Sequence, residues 1–219
     1  MNRQYRTFLV LLVLMAAVLG AILVMMAGTR DARRTGSVIA LDLEGTVNWV
    51  IGSPDAPIEV IEGSDLQCPD CKRYEEEAKP AIRERFVATG AVRWRYLFFA
   101  LPGHDEAIPA THALACAIEQ GDAAADAMKS GIFATQAEWS RQPTYLETFR
   151  AVAAGAVPDP AAWDTCTASG RHVEAATHGW RAAQAAGIPG TPTVILFDRF
   201  YVGGLTANQL GRVLDAGRP

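Results

Sequence analysis

Cys68-Pro69-Asp70-Cys71 is the feature that most restricts what this chain can become. Two thiols separated by two residues, with a proline suited to a first helical turn between them, put a dithiol at the start of a helix. Unpaired backbone N–H groups and the positive end of the helix dipole stabilise a thiolate there, and the thiolate is the attacking species in disulfide exchange. Cys68 is that thiolate in this reading. A zinc site needs two more ligands at knuckle-like spacing, whereas Cys116 and Cys166 are each solitary. Covalent haem attachment needs a histidine after the second cysteine, and Lys72 stands there. A redox dithiol with neither metal nor cofactor is the reading favoured, with a purely structural disulfide as its alternative.

The 219 residues, 50% of them hydrophobic, with a net charge of -4, give room for one good-sized core and lack the composition of a disordered chain. Mild acidity and the lack of an arginine-rich block in the globular part argue against nucleic-acid binding. Residues 1–7 form a short tail. Residues 8–27 are uncharged and almost wholly apolar, and as a helix they would reach about 30 Å, the thickness of a bilayer core. A transmembrane anchor is expected, since a cleaved signal has a shorter apolar run and a small-x-small site that Met25-Met26-Ala27-Gly28 supplies poorly. Arginine counting, with Arg3 and Arg6 before the helix and Arg30, Arg33 and Arg34 after it, leans towards a cytoplasmic C-terminal part. Four cysteines, two in a redox-type motif, point instead to an oxidising compartment, and that reading is preferred.

Residues 28–36 read as a linker and 37–219 as the folded domain. Within it Ser37 to Leu43 is expected as a first strand, Gly52 to Pro57 as a loop and Ile58 to Glu62 as a strand. A helix is expected from Pro69 to about Ala88, with Tyr74, Ala78, Ile82 and Phe86 on one face and a kink at Pro80. Val92 to Phe99 alternates as a strand, its Val92, Trp94, Tyr96 and Phe98 sharing a face. A long alanine-rich stretch, about Glu106 to Ala186, reads as several helices. Two short strands follow, Thr193 to Phe197 and Phe200 to Val202, and Thr206 caps a last helix. The order suggests an α/β fold, a central sheet with helices on both faces.

Glu62 shares a strand face with Ile58 and Val60, so it either points into the core beneath the dithiol, where it could relay a proton to Cys71, or faces solvent. Thr191-Pro192 opens a strand where a cis bond is accessible, though an ordinary trans turn would also serve. Cys116 and Cys166 are read as a disulfide closing a loop of about 50 residues, worth roughly 4 kcal/mol in the chain-entropy treatment, with two buried free thiols as the alternative. Asp70 favours the first turn of its helix but repels a thiolate on Cys68. The histidines are assigned surface or packing roles, and Glu75-Glu76-Glu77 a solvated helix face.

Three motifs together, Gly52 to Pro57, Glu62 with Ser64 to Cys71, and Gly187 to Thr193, resemble the DsbA-like thiol:disulfide oxidoreductases of the thioredoxin superfamily. The resemblance covers nearly everything after the linker. It implies a thioredoxin fold with an inserted helical domain, about 104–187, preceded here by one transmembrane helix. It further implies Cys68 as exposed nucleophile, Cys71 as its buried partner, Glu62 as a buried acid, and a cis Thr191-Pro192 bond facing the dithiol. Pro69 and Asp70 would tune the potential, and Asp70 departs from the histidine of the best-known members. The expected function is disulfide formation in reduced or misoxidised exported proteins, on the periplasmic or extracellular side of a bacterial cytoplasmic membrane. A membrane partner would recycle the dithiol; a reductase or isomerase, or an inert binding module, is the rival.

Overall fold

The computed structural model describes residues 11–21, 35–38 and 40–217. It divides into two compact units, Met1–Gly36 and Ser37–Pro219. In the first, residues 11–21 are helical (α1), with exposed side chains. The rest of the expected 8–27 anchor lies outside the described residues, among which no helix is long and apolar enough to cross a membrane. A short strand, β1 (Thr35–Ser37), spans the boundary between units.

The second unit carries β2 (Trp49–Ile51), β3 (Glu59–Ser64), β4 (Arg93–Phe98), β5 (Thr193–Leu196) and β6 (Arg199–Val202) in the spatial order β6-β5-β3-β4-β2. Strands β3 and β4 run parallel, and β2, β5 and β6 join antiparallel, with Glu62 opposite Tyr96 on one side and Val194 on the other. Strand alternation sends Val60, Trp94, Tyr96 and Phe98 into a large core on one face, while Leu97, Phe99, Ile61 and Ile195 pack into a smaller core on the other. Both faces carry apolar residues packed into a core, while Glu59 at the start of β3 pairs with Arg93 and Arg95 at the start of β4.

The expected strand Ser37 to Leu43 is corrected: the strand ends at Ser37, and residues 40–43 have no regular structure. Leu41 and Leu43 alternate because both pack on the smaller core, and Thr46 N–H closes a turn on the Leu43 carbonyl at 3.2 Å. Strand β2 was not expected; it forms the sheet edge against β4, and Trp49 stacks on Tyr96 with centroids 4.6 Å apart.

The expected helix 69–88 is three pieces, α2 (Pro69–Glu77), α3 (Lys79–Ile82) and a π-helical turn Arg83–Val87. The break falls at Ala78, just before Lys79-Pro80, where the missing proline N–H interrupts the ladder. Six helices then separate β4 from β5: α4 (Ala107–Ile118), α5 (Asp122–Ala134), α6 (Gln136–Trp139), α7 (Tyr145–Ala156), α8 (Pro160–Ser169) and α9 (Val173–Ala185). Helix α9 lies so close to the sheet that a Cβ on Gly179 would stand 1.9 Å from the Phe98 carbonyl oxygen, so only glycine fits. The β5–β6 turn holds Phe197 and Asp198 both at positive φ. Helix α10 (Ala207–Gly217) closes the unit; Gln209 N–H donates to Thr206 Oγ1, and Thr206 N–H donates back to Gln209 Oε1 at 2.8 Å.

Candidate active site

Strand β3 ends at Ser64, and four residues later Cys68 becomes the N-cap of α2, with extended backbone and Pro69 at the first helical position. Cys71 N–H and Lys72 N–H both donate to the Cys68 carbonyl. Both sulfurs are unpaired in this structure, and both residues are buried, Cys68 to 6% and Cys71 to 2% exposure; Cys68 is thus corrected from the exposed nucleophile that the resemblance implies, because the cis-proline segment packs over it. Thr191-Pro192 is cis and precedes β5, and the Thr191 carbonyl lies 3.8 Å from Cys68 Sγ. The Thr191 hydroxyl oxygen is buried and makes no hydrogen bond among the described residues.

The two thiols are driven apart electrostatically. Cys68 falls to about 6, chiefly because the Cys71 thiol hydrogen-bonds to it; this outweighs the opposing effect of burial, with help from the Cys71 and Asp70 backbone N–H groups and Thr191. Burial pushes Cys71 well above the ordinary thiol range, and the charge on Cys68 pushes it the same way. One sulfur is thus a thiolate near neutrality while its neighbour holds the proton.

Glu62 is buried to 2% exposure on the face of β3 that looks into the larger core, not towards solvent. Its Oε2 accepts from Lys79 Nζ at 2.9 Å and from Trp94 Nε1 at 2.8 Å. Neither sulfur is among its hydrogen-bond partners. Lys79 is itself fully buried, 3.7 Å above the Trp94 ring, and burial lowers it to about 8 despite the facing carboxylates of Glu62 and Glu75.

Glu75 is corrected from the solvated face assigned to it. Its side chain is 13% exposed and pairs at 2.7 Å with Lys129 of α5, which also donates to Tyr96 Oη at 2.8 Å. Sequence spacing along α2 cannot show a partner that arrives from a helix 54 residues away. Asp70 stands out in solvent and pairs with Arg73 one turn on, at 2.8 Å.

Several site residues were missed in the sequence. Gln136, in the helical block, donates from Nε2 to the carbonyls of Leu66 and Cys68 at 2.8 and 3.2 Å, holding the loop before the nucleophile. Gln67 Nε2 donates to Glu106 and to Ser140 Oγ. His104, assigned a surface or packing role, sits 2.6 Å from buried Asp65. The motif Ser64 to Cys71 drew attention to the segment, but nothing local to it names these distant partners.

Cys116 of α4 and Cys166 of α8 are joined by a disulfide, Cα to Cα 5.7 Å. His172 brings a ring nitrogen within 4.8 Å of both sulfurs, yet the sulfurs are bonded to each other and so are not thiolate ligands here.

The strand order, the dithiol at the head of α2 and the facing cis-proline define a thioredoxin fold with a helical block between β4 and β5. A family model described as Thioredoxin matches residues 45–216, and the chain belongs to that family. In Bacillus cereus, Probable disulfide bond formation protein D is 31% identical over 55 residues, which cover 25% of this chain and 26% of that protein. The Na(+)/H(+) antiporter NhaA 1 of Mycolicibacterium gilvum is 30% identical over 171 residues, covering 77% of this chain and 26% of the antiporter. The chain therefore aligns with about a quarter of the length of these relatives. Among solved structures, oxidised BdbD from Bacillus subtilis superposes with TM-score 0.69 at 17% identity, covering 83% of this chain and 98% of that one, a likeness of fold.

Proposed function

We propose that this protein is a thiol:disulfide oxidoreductase that introduces disulfide bonds into exported polypeptides. The observation that carries the reading is the split between Cys68, lowered to about 6, and Cys71, raised well above the ordinary thiol range, beside a cis-proline. A substrate thiolate attacks Cys68 Sγ of the oxidised protein; the Cys68–Cys71 bond breaks, and its electron pair leaves on Cys71 Sγ. The mixed disulfide is resolved when a second substrate thiolate attacks the substrate sulfur and Cys68 departs as a stabilised thiolate. The substrate loses two electrons and two protons, and the enzyme ends as the dithiol. Thr191 and Pro192 border the nucleophile, so an extended substrate would lie along their backbone.

Direction follows from which state is stabilised. A thiolate on Cys68 favours the reduced enzyme and hence oxidation of substrate. Asp70 would oppose this, but its carboxylate is solvent-exposed and neutralised by Arg73. Glu62 would serve as the buried acid whose charge is held by Lys79. The names of the disulfide bond formation proteins it resembles support the same direction. Residues 8–27 would anchor the domain to the cytoplasmic membrane with residues 37–219 on the periplasmic or extracellular side, where a membrane redox partner would reoxidise the dithiol.

The test is stoichiometric oxidation of a reduced two-cysteine peptide by the oxidised protein. Wild type should convert one peptide per Cys68–Cys71 disulfide, and Cys68→Ser should convert none. Equal conversion by Cys68→Ser would overturn the reading.

A further inference from the structure

Asp65 is buried to 1% exposure in the loop between β3 and the dithiol. Its carboxylate accepts three hydrogen bonds. Oδ1 takes Gln67 N–H at 2.7 Å, closing a turn in the loop; Oδ2 takes Leu101 N–H at 2.8 Å and His104 Nδ1 at 2.6 Å, fastening the loop to the segment after β4. Such a set of donors around one buried carboxylate fixes its residue in place more firmly than a packed side chain could. The consequence falls on the backbone of the same residue: Asp65 N–H donates to Cys71 Sγ at 3.4 Å, the one backbone donor to that sulfur among the described residues.

Cys71 Sγ is the sulfur on which charge develops. When a thiolate attacks Cys68 Sγ, a new S–S bond forms there, the Cys68–Cys71 bond breaks, and the electron pair goes to Cys71. Departure of a thiolate slows as the pKa of its thiol rises, and Cys71 is raised by burial. A preorganised donor aimed at the developing charge offsets this. We propose that Asp65 and His104 are positioning residues for the leaving group: the carboxylate–imidazole pair locks the loop so that Asp65 N–H meets the electron pair arriving on Cys71 Sγ. The inference rests on the exchange reaction proposed above, with Cys68 as the sulfur attacked.

The experiment measures the second-order rate at which reduced glutathione opens the Cys68–Cys71 disulfide, by acid quenching and thiol trapping. Asp65→Asn keeps an acceptor for Gln67 but turns an amide NH2 towards Leu101 N–H and His104, and opening is expected to slow about tenfold, less than for an oxyanion donor because sulfur accepts more weakly. His104→Ala should slow it about threefold, and His104→Asn, which restores a side-chain donor, should return it to within twofold of wild type. A purely structural role would lower the melting temperature of these variants and leave the rate of the folded protein unchanged. Wild-type rates in folded Asp65→Asn and His104→Ala overturn the inference; if Asp65→Asn does not fold, His104→Ala and its rescue decide it. A wild-type protein opened by glutathione that cannot oxidise the peptide contradicts the proposed function alone, whereas a disulfide inert to glutathione overturns both.

Discussion

Two cysteines three residues apart occupy opposite electrostatic conditions, and the difference traces to single contacts. Cys68 caps a helix and accepts from the Cys71 thiol and nearby N–H groups, while Cys71 is enclosed and holds its proton. The sign of the resulting pH dependence is fixed. In the folded reduced protein Cys68 ionises near pH 6 and in the unfolded chain near 9, so between those values the unfolded chain binds more protons. Stability of the reduced form therefore rises with pH through that window and is lost as pH falls from 9 through 6. The disulfide form has no such thiol, so the other titrating groups largely cancel in the comparison. Denaturant titrations at pH 5 and pH 8.5 are expected to show the reduced-minus-oxidised stability difference larger at the higher pH; a difference independent of pH would contradict the assigned thiolate. Around this pair, Glu62 and Lys79 form a buried ion pair whose loss of one partner would strand the other in the core.

At the scale of elements, the helix carrying the dithiol was legible because its determinants are local. Proline at its first turn, the apolar spacing of Tyr74, Ala78, Ile82 and Phe86, and Pro80 at the break all lie in one stretch of chain. The cysteine motif and Thr191-Pro192 were legible for the same reason, and resemblance to known oxidoreductases supplied their juxtaposition. Three-residue β2 was not legible, since it exists only because β4 offers it an edge and Tyr96 a ring to stack on. Nor were the roles of Glu75, Gln136 and His104, each set by a partner from a distant element. The Cys116–Cys166 bond ties α4 to α8 across a separation of 50 residues. Replacing both with alanine should lower stability by roughly 2–4 kcal/mol, read as a fall in melting temperature on the order of 5–15 °C. An unchanged melting temperature under oxidising conditions would show that the crosslink does not restrict the unfolded chain.

The whole second unit is a sheet with a core on each face, and the dithiol sits where three parts of it converge. Strand β3 leads into the nucleophile loop, the cis-proline before β5 borders Cys68, and the helical block reaches in through Gln136 to the carbonyl of Cys68 and through Lys129 to Glu75 of its helix. The contacts that differ between dithiol and disulfide are integrated in a single equilibrium quantity. That quantity is the reduction potential of the Cys68–Cys71 couple, measured against glutathione buffers at pH 7. A Cys68 thiol with a pKa of about 6, about one unit below thioredoxin's roughly 7, stabilises the reduced form by about 20–30 mV more and predicts a value of about -240 mV, above thioredoxin's about -270 mV. A value at or below about -270 mV, typical of reducing dithiols, would contradict the account.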